Sequence, residues 1–158
     1  MESFAHRHRG LGWLLLAAFV VLAAGIGLRD PWPADEPRFA LLSRYVLDTG
    51  EWLVLRRGDE LYSDKPPVFM WLQAAAIWLA GGSLRLGFLL PSLLAALGTL
   101  CLVYDLGRRL WTRRVGLLAG WALLLTVQFT FQGKRAQIDA VLLFLVTLAN
   151  HGLLLSLL

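Results

Sequence analysis

Residues 86–114 read LGFLLPSLLAALGTLCLVYDLGRRLWTRR. From Leu86 to Leu106 the only charge is Asp105, at the far end, and about 20 consecutive apolar residues are what a helix needs to cross the hydrocarbon core of a bilayer. The segment that follows packs Arg108, Arg109, Arg113 and Arg114 into a short stretch with no acid. An apolar run closed by a short arginine-rich loop is the signature of a transmembrane helix that ends on the cytoplasmic side.

The rest of the chain is read outward from this point. Leu11 to Leu28 is a second uncharged run, Val115 to Phe131 a third, and Ile138 to Leu158 a fourth, broken only by Asp139 at its start and the pair Asn150 and His151. Over all 158 residues, 58% are apolar and 16% charged, with a mean hydropathy of +0.62. A soluble domain carries nearer a quarter of its residues as charges. The net charge of +4 comes from arginines at the ends of apolar runs, so it points to a membrane rather than to nucleic acid. No repeat, low-complexity tract or nucleic-acid motif is present. The single cysteine, Cys101, excludes an internal disulfide and leaves the redox compartment open.

A fifth apolar run, Pro66 to Gly81, is shorter, begins with two prolines and ends at Gly81-Gly82. The positive-inside rule decides whether it crosses. Arg7 and Arg9 place the N-terminus inside, so the first span exits and the segment from Arg29 onward lies outside. If Pro66–Gly81 crossed, the arginine cluster at 108–114 would fall outside. The sequence therefore predicts an interfacial helix over 66–81, with Trp71 and Trp78 at headgroup depth. The expected fold is an all-α integral membrane protein with about four transmembrane helices, near 11–28, 86–106, 115–131 and 138–158. An outer loop over 29–85 carries the amphipathic, juxtamembrane helices, and both ends are inside. A cleaved signal peptide with His6 to Arg9 as its charged region is the other reading of the first run, disfavoured because apolar sequence continues past Ala23-Ala24-Gly25.

Arg29 to Lys65 holds eight of the eleven acidic residues. Pro33 to Gly50 reads as a capped amphipathic helix, with Asp35 or Glu36 at its start, Pro37 in its first turn and Gly50 at its exit. Trp52 to Leu55 reads as a short strand, Arg57-Gly58-Asp59 as a turn, and Glu60-Leu61-Tyr62 as the returning arm of a hairpin.

Several charges on the outer side admit two readings. Asp35-Glu36 serves as a helix cap with a favourable dipole interaction, or as a general base at the membrane surface, and the two are compatible. Lys65 is a solvated partner of Asp64, or a cation for a lipid phosphate. Lys65 and Lys134 are the only lysines, and both fall outside, against the positive-inside bias. Lys134 and Arg135 are headgroup anchors or a phosphate site. Asp139 is an N-cap, or an acid partnered by Arg135 four residues earlier if that stretch is helical. This topology puts Asp35, Glu36, Lys65, Lys134, Arg135 and Asp139 on one side of the membrane: carboxylates to take a proton and cations to hold a phosphate. Elsewhere, Asn150 and His151 read as packing glue, Asp105 as an ion-pair partner of Arg108 or Arg109, and His6 and His8 make no metal site by themselves.

At these residues the chain resembles the membrane glycosyltransferases of the C-type fold. Asp35-Glu36-Pro37-Arg38-Phe39-Ala40 is similar to their DE-x-R-[YF]-A pattern. Tyr62-Ser63-Asp64-Lys65-Pro66-Pro67, with Trp71 beyond, is similar to their stretch built around KPP. Arg85 followed by Pro91-Ser92, the turn Gly107-Arg108-Arg109, and Arg135 with Asp139 also fit. The members it resembles are bacterial aminoarabinose transferases acting on lipid A and protein O-mannosyltransferases.

The resemblance implies an inverting transferase on the outer face of the plasma (bacterial inner) membrane, periplasmic or extracellular. It takes a sugar from a polyprenyl-phosphate carrier to a glycan, lipid or protein acceptor. Asp35 is then the catalytic carboxylate, Glu36 its support, Lys65 and Arg135 the holders of the donor phosphate, and Asp139 the second acid. Metal use varies in this fold, so none is assigned and no other cofactor is expected. Members of the family are much longer, so the chain is expected to be the N-terminal transmembrane part of one, incomplete at Leu158. The alternative is a non-catalytic membrane subunit that binds the same carrier. A channel is disfavoured because the spans hold few polar residues.

Overall fold

The computed structural model describes residues 4–33 and 35–157, without the side chains of residues 4–8. His6, Arg7 and His8, invoked above for the N-terminus, therefore lie outside the described side chains. The elements in order are α1 (Phe4–Ala23), α2 (Asp35–Thr49), β1 (Arg56–Arg57), β2 (Glu60–Leu61), α3 (Val68–Leu79), α4 (Leu84–Gly87), α5 (Leu90–Leu110), α6 (Arg113–Leu125), α7 (Val127–Gly133) and α8 (Ile138–Leu157). The protein is an all-α membrane protein whose only sheet, among the described residues, is a two-residue hairpin.

Two apolar cores define two layers. In the first, Leu14, Ala18 and Leu22 of α1 meet Leu93, Ala96 and Leu100 of α5, Leu124 of α6 and Phe129 of α7. This is the bundle. In the second, Phe39, Leu42 and Val46 of α2 and Phe69, Met70 and Ala74 of α3 pack with Leu55, Tyr62, Phe88, Ala136 and Val141. This is a cap over one end of the bundle. Phe39 and Phe69 meet edge-on with centroids 5.6 Å apart, a favoured aromatic geometry. A buried polar thread crosses the cap: Ser43 Oγ donates to Gln73 Oε1 at 2.9 Å, and Gln73 Nε2 donates to the Phe88 carbonyl at 2.8 Å.

Helices Leu84–Leu110 and Ile138–Leu157 are each long and apolar enough to cross a membrane. The expected span over 115–131 is broken. The chain is extended at Thr126, and α6 and α7 are bent by 72°, so they make a third span only as a bent pair. Hydroxyls satisfy the backbone at the break: Thr126 Oγ1 donates to the Ala122 carbonyl and Thr130 Oγ1 to that of Leu124. A break inside an apolar layer is tolerated only where freed groups find such partners. The helix over the run 11–28 begins and ends earlier than expected, because α1 stops at Ala23 and residues 24–28 form turns, with Gly25 and Gly27 at positive φ. Helix α1 has 20 residues, about 30 Å at 1.5 Å each, the thickness of a hydrocarbon core. Two unbroken helices, one bent pair and α1 thus occupy the four regions where spans are expected.

The cap follows expectation more closely. Helix α2 ends at Gly50, whose φ of +72° suits the left-handed turn that closes helices. Helix α3 has 12 residues, about 18 Å at 1.5 Å each, which is short of a core about 30 Å thick. The hairpin pairs Arg56 with Leu61 and Arg57 with Glu60. The strand expected at Trp52–Leu55 begins later, because Trp52–Val54 form bends and the Trp52 carbonyl accepts from Trp71 Nε1 at 2.6 Å.

Candidate functional site

The turn after α1 carries Arg29 back toward the first turn of α2. Its guanidinium makes a two-pronged pair with Glu36, at 2.6 Å from Nη1 to Oε2 and 2.9 Å from Nη2 to Oε1. The same carboxylate accepts from the Trp32 amide at 2.6 Å and the Ala136 amide at 2.8 Å, and its side chain is 0% exposed. Burial pushes the Glu36 carboxyl upward, but the Arg29 hydrogen bonds and the amides of Trp32 and Ala136 outweigh it and hold the group below the usual carboxylate range. Arg29 Nη2 also donates to the Lys134 carbonyl at 2.9 Å. The guanidinium lies over the rings of Trp32 and Phe88, 5.4 and 5.5 Å from their centroids.

Asp35, one residue earlier, is open where Glu36 is closed: its side chain is 42% exposed. It accepts from Arg38 Nη2 at 2.5 Å and from Gln137 Nε2 at 3.3 Å. Gln137 is itself fixed, since its carbonyl accepts from Ser92 Oγ. Arg38 extends the cluster outward. Its guanidinium sits 5.8 Å from the Tyr62 ring centroid, and its Nε is buried without a partner. Tyr62 is also buried with an unpartnered hydroxyl, and burial pushes that hydroxyl's pKa up. Tyr62 and Lys65 line one open cleft of about 520 Å³ between the hairpin and Pro66-Pro67. Lys65 is exposed and makes no hydrogen bond or ion pair among the described residues. Asp35, Arg38 and Tyr62 are thus in contact in turn, and Tyr62 shares its cleft with Lys65.

The segment Lys134–Gln137 is not helical. The expected pairing of Arg135 with Asp139 is therefore not formed, since it needs the helical i, i+4 spacing. Arg135 instead lies 5.2 Å from the Phe131 ring centroid, with Nε buried and unpartnered. Asp139 accepts from Gln132 Nε2 at 3.1 Å and faces a separate cleft with Thr126, Gln128 and Phe129. The structure brings Asp35 and Glu36 onto the 134–137 segment and sets Lys65 in the cleft that Tyr62 lines, whereas Asp139 opens elsewhere. Among the described residues, no three His, Cys, Asp or Glu side chains converge as a metal site would need. At the far end of the bundle, Asp105 pairs with both Arg108 and Arg109, and with His151 Nε2 of α8 at 2.9 Å. His151 thus ties two helices together, and Asn150 bonds back to the Val146 carbonyl.

Four residues of the cluster had no role assigned from sequence. Arg38 follows Asp35 by one helical turn, and Tyr62 precedes Lys65 by three residues, so their proximity had a local signal. Arg29 and Gln137 had none, because their contacts depend on how α1 ends and on residues about a hundred positions away.

The family model described as dolichyl-phosphate-mannose-protein mannosyltransferase matches residues 64–157. Two undecaprenyl phosphate-alpha-4-amino-4-deoxy-L-arabinose arabinosyl transferases are similar over most of the chain. That of Edwardsiella ictaluri is 31% identical over 146 residues, covering 89% of this chain and 22% of the relative. That of Erwinia tasmaniensis is 36% identical over 116 residues, covering 71% and 20%. The crystal structure of ArnT from Cupriavidus metallidurans in the apo state superposes with a TM-score of 0.78 at 25% identity, over 87% of this chain and 26% of that one. The chain thus spans between a fifth and about a quarter of the length of these proteins.

Proposed function

The chain belongs to the dolichyl-phosphate-mannose-protein mannosyltransferase family, and from that premise we propose that this region carries the acceptor-activating end of a glycosyltransferase using a polyprenyl-phosphate sugar donor. Asp35 takes the proton of an acceptor hydroxyl. The acceptor oxygen then forms a bond to the anomeric carbon from the side opposite the carrier, and the bond from that carbon to the phosphate oxygen breaks. The sugar inverts and the polyprenyl phosphate leaves with the electron pair. Lys65 and Arg135 offset the charge on that phosphate, electrostatic help directed where charge develops. Glu36 supports Asp35 from inside the fold, and Asp139 serves as a second acid from its neighbouring cleft. The reaction takes place on the periplasmic or extracellular face of the plasma membrane, with a glycan, lipid or protein as acceptor.

The observation that carries this reading is the arrangement around Asp35. An accessible carboxylate is oriented by Arg38 and Gln137, and Arg38 in turn contacts Tyr62, which lines a cleft with Lys65. Lys65→Met provides the test. In membranes containing the protein expressed from its complete reading frame, it should raise the half-saturating concentration of undecaprenyl phosphate-linked aminoarabinose roughly 10- to 100-fold, the worth of one charge-assisted hydrogen bond. Unchanged half-saturation removes Lys65 from the phosphate. Carrier binding that depends on Lys65, with no sugar leaving the carrier in the wild type, replaces this proposal with a non-catalytic carrier-binding role.

A further inference from the structure

We infer that Arg29 is a positioning residue: through Glu36 it clasps the 134–137 segment so that Gln137 meets Asp35. The inference rests on Asp35 being the base proposed above. Two consecutive carboxylates engage two consecutive residues of the other segment, Glu36 taking the Ala136 amide and Asp35 the Gln137 side chain. Arg29 holds the same segment a second time, two residues earlier, at the Lys134 carbonyl. The clasp therefore sets both the height and the register of residues 134–137 against the start of α2. Arg135, between the two gripped positions, is set with them.

The chemistry of the clasp suits positioning better than packing. A buried ion pair is costly to desolvate, and apolar residues of similar volume often hold a fold together as well or better. Here the Glu36 carboxylate accepts four hydrogen bonds from three residues on two segments and is fully enclosed. A planar fork is required because Arg29 must serve both Glu36 oxygens and a carbonyl at once. Lysine keeps the charge but presents a point donor on a flexible stem. Arg29 meets no open cleft described above, so its effect on the reaction passes through Asp35.

The test uses Arg29→Lys and Arg29→Met in the protein expressed from its complete reading frame, with rates normalised to folded, membrane-inserted protein. A misplacement of about 1 Å can cost about 100-fold in rate. The turnover of undecaprenyl phosphate-linked aminoarabinose should therefore fall on that order in Arg29→Met and by an intermediate amount in Arg29→Lys. Gln137→Ala should lower turnover on its own and add nothing in the Arg29→Met background, as expected for coupled residues. If Arg29 only stabilises the fold, turnover per folded molecule stays at the wild-type value, or the two losses multiply; either result overturns the clasp.

A readout independent of activity comes from the pair Asp35→Cys and Gln137→Cys. Its disulfide should close at least about tenfold more slowly with Arg29→Lys than with Arg29, and equal rates overturn the clasp whether or not this donor is turned over. Asp35→Asn assayed alongside separates the two claims. Full activity there removes the base while leaving the disulfide result to decide the clasp, and an inactive Asp35→Asn beside an unimpaired Arg29→Lys removes the clasp alone.

Discussion

Asp35 and Glu36 are neighbours of like charge with opposite environments, one open and oriented, the other sealed behind Arg29. The sequence shows two acids at a helix start and cannot divide the work between them, because the division comes from Arg29 and Ala136, seven and a hundred residues away. The contact of Asp35 with Arg38 was legible, since residues three apart share a helix face. The pairing of Arg135 with Asp139 was conditional on helix there, and the segment is irregular. A pH dependence follows from Glu36. Its carboxyl is held below the ordinary value of 4.5 in the fold, so the folded state favours the ionised form. The stability this adds is fully present above pH of about 4.5 and is lost as pH falls through the lowered value. Thermal unfolding of the wild type should weaken across that acid window, and Glu36→Gln should flatten the dependence there. Parallel curves for the two proteins contradict the assignment.

The elements were legible where length and turn chemistry agree. Helix α2 begins and ends where its acids and Gly50 place it, and α3 is as short as the two prolines and Gly81-Gly82 imply. The break between α6 and α7 was not legible: no proline or charge marks it, and its signal is a pair of threonine hydroxyls that close backbone groups only after the chain has bent. The α5–α6 turn depends on a close approach equally hidden in sequence. A Cβ on Gly116 would stand 2.5 Å from the Tyr104 carbonyl oxygen and 2.9 Å from the Arg108 nitrogen, and backbone atoms of a facing helix cannot step aside as a side chain can. In an open helix, Gly→Ala would stabilise by about 1 kcal/mol. Here Gly116→Ala should destabilise by about 1–3 kcal/mol, the usual cost of overpacking. The sign of the change in unfolding temperature in detergent decides: a lower value supports the close crossing, and a higher one contradicts it.

On the scale of the molecule, the division into a bundle and a cap explains how residues far apart in sequence come to share one face. The end of α1, the starts of α2 and α3, and the segment before α8 all meet at the capped end, while the Asp105, Arg108, Arg109 and His151 cluster holds α5 to α8 at the other. The run lengths made the membrane fold readable. They did not reveal the bend between α6 and α7, because hydropathy does not register where a helix breaks. The site inherits its design from the cap, in which buried hydrogen bonds fix the segment before α8 against the start of α2 and leave one carboxylate accessible. That makes Asp35→Asn the most direct test. In membranes containing the protein expressed from its complete reading frame, transfer of sugar from undecaprenyl phosphate-linked aminoarabinose should fall at least about 100-fold, as for loss of a general base, with insertion and carrier binding retained. Transfer at the wild-type rate in that variant would contradict the account.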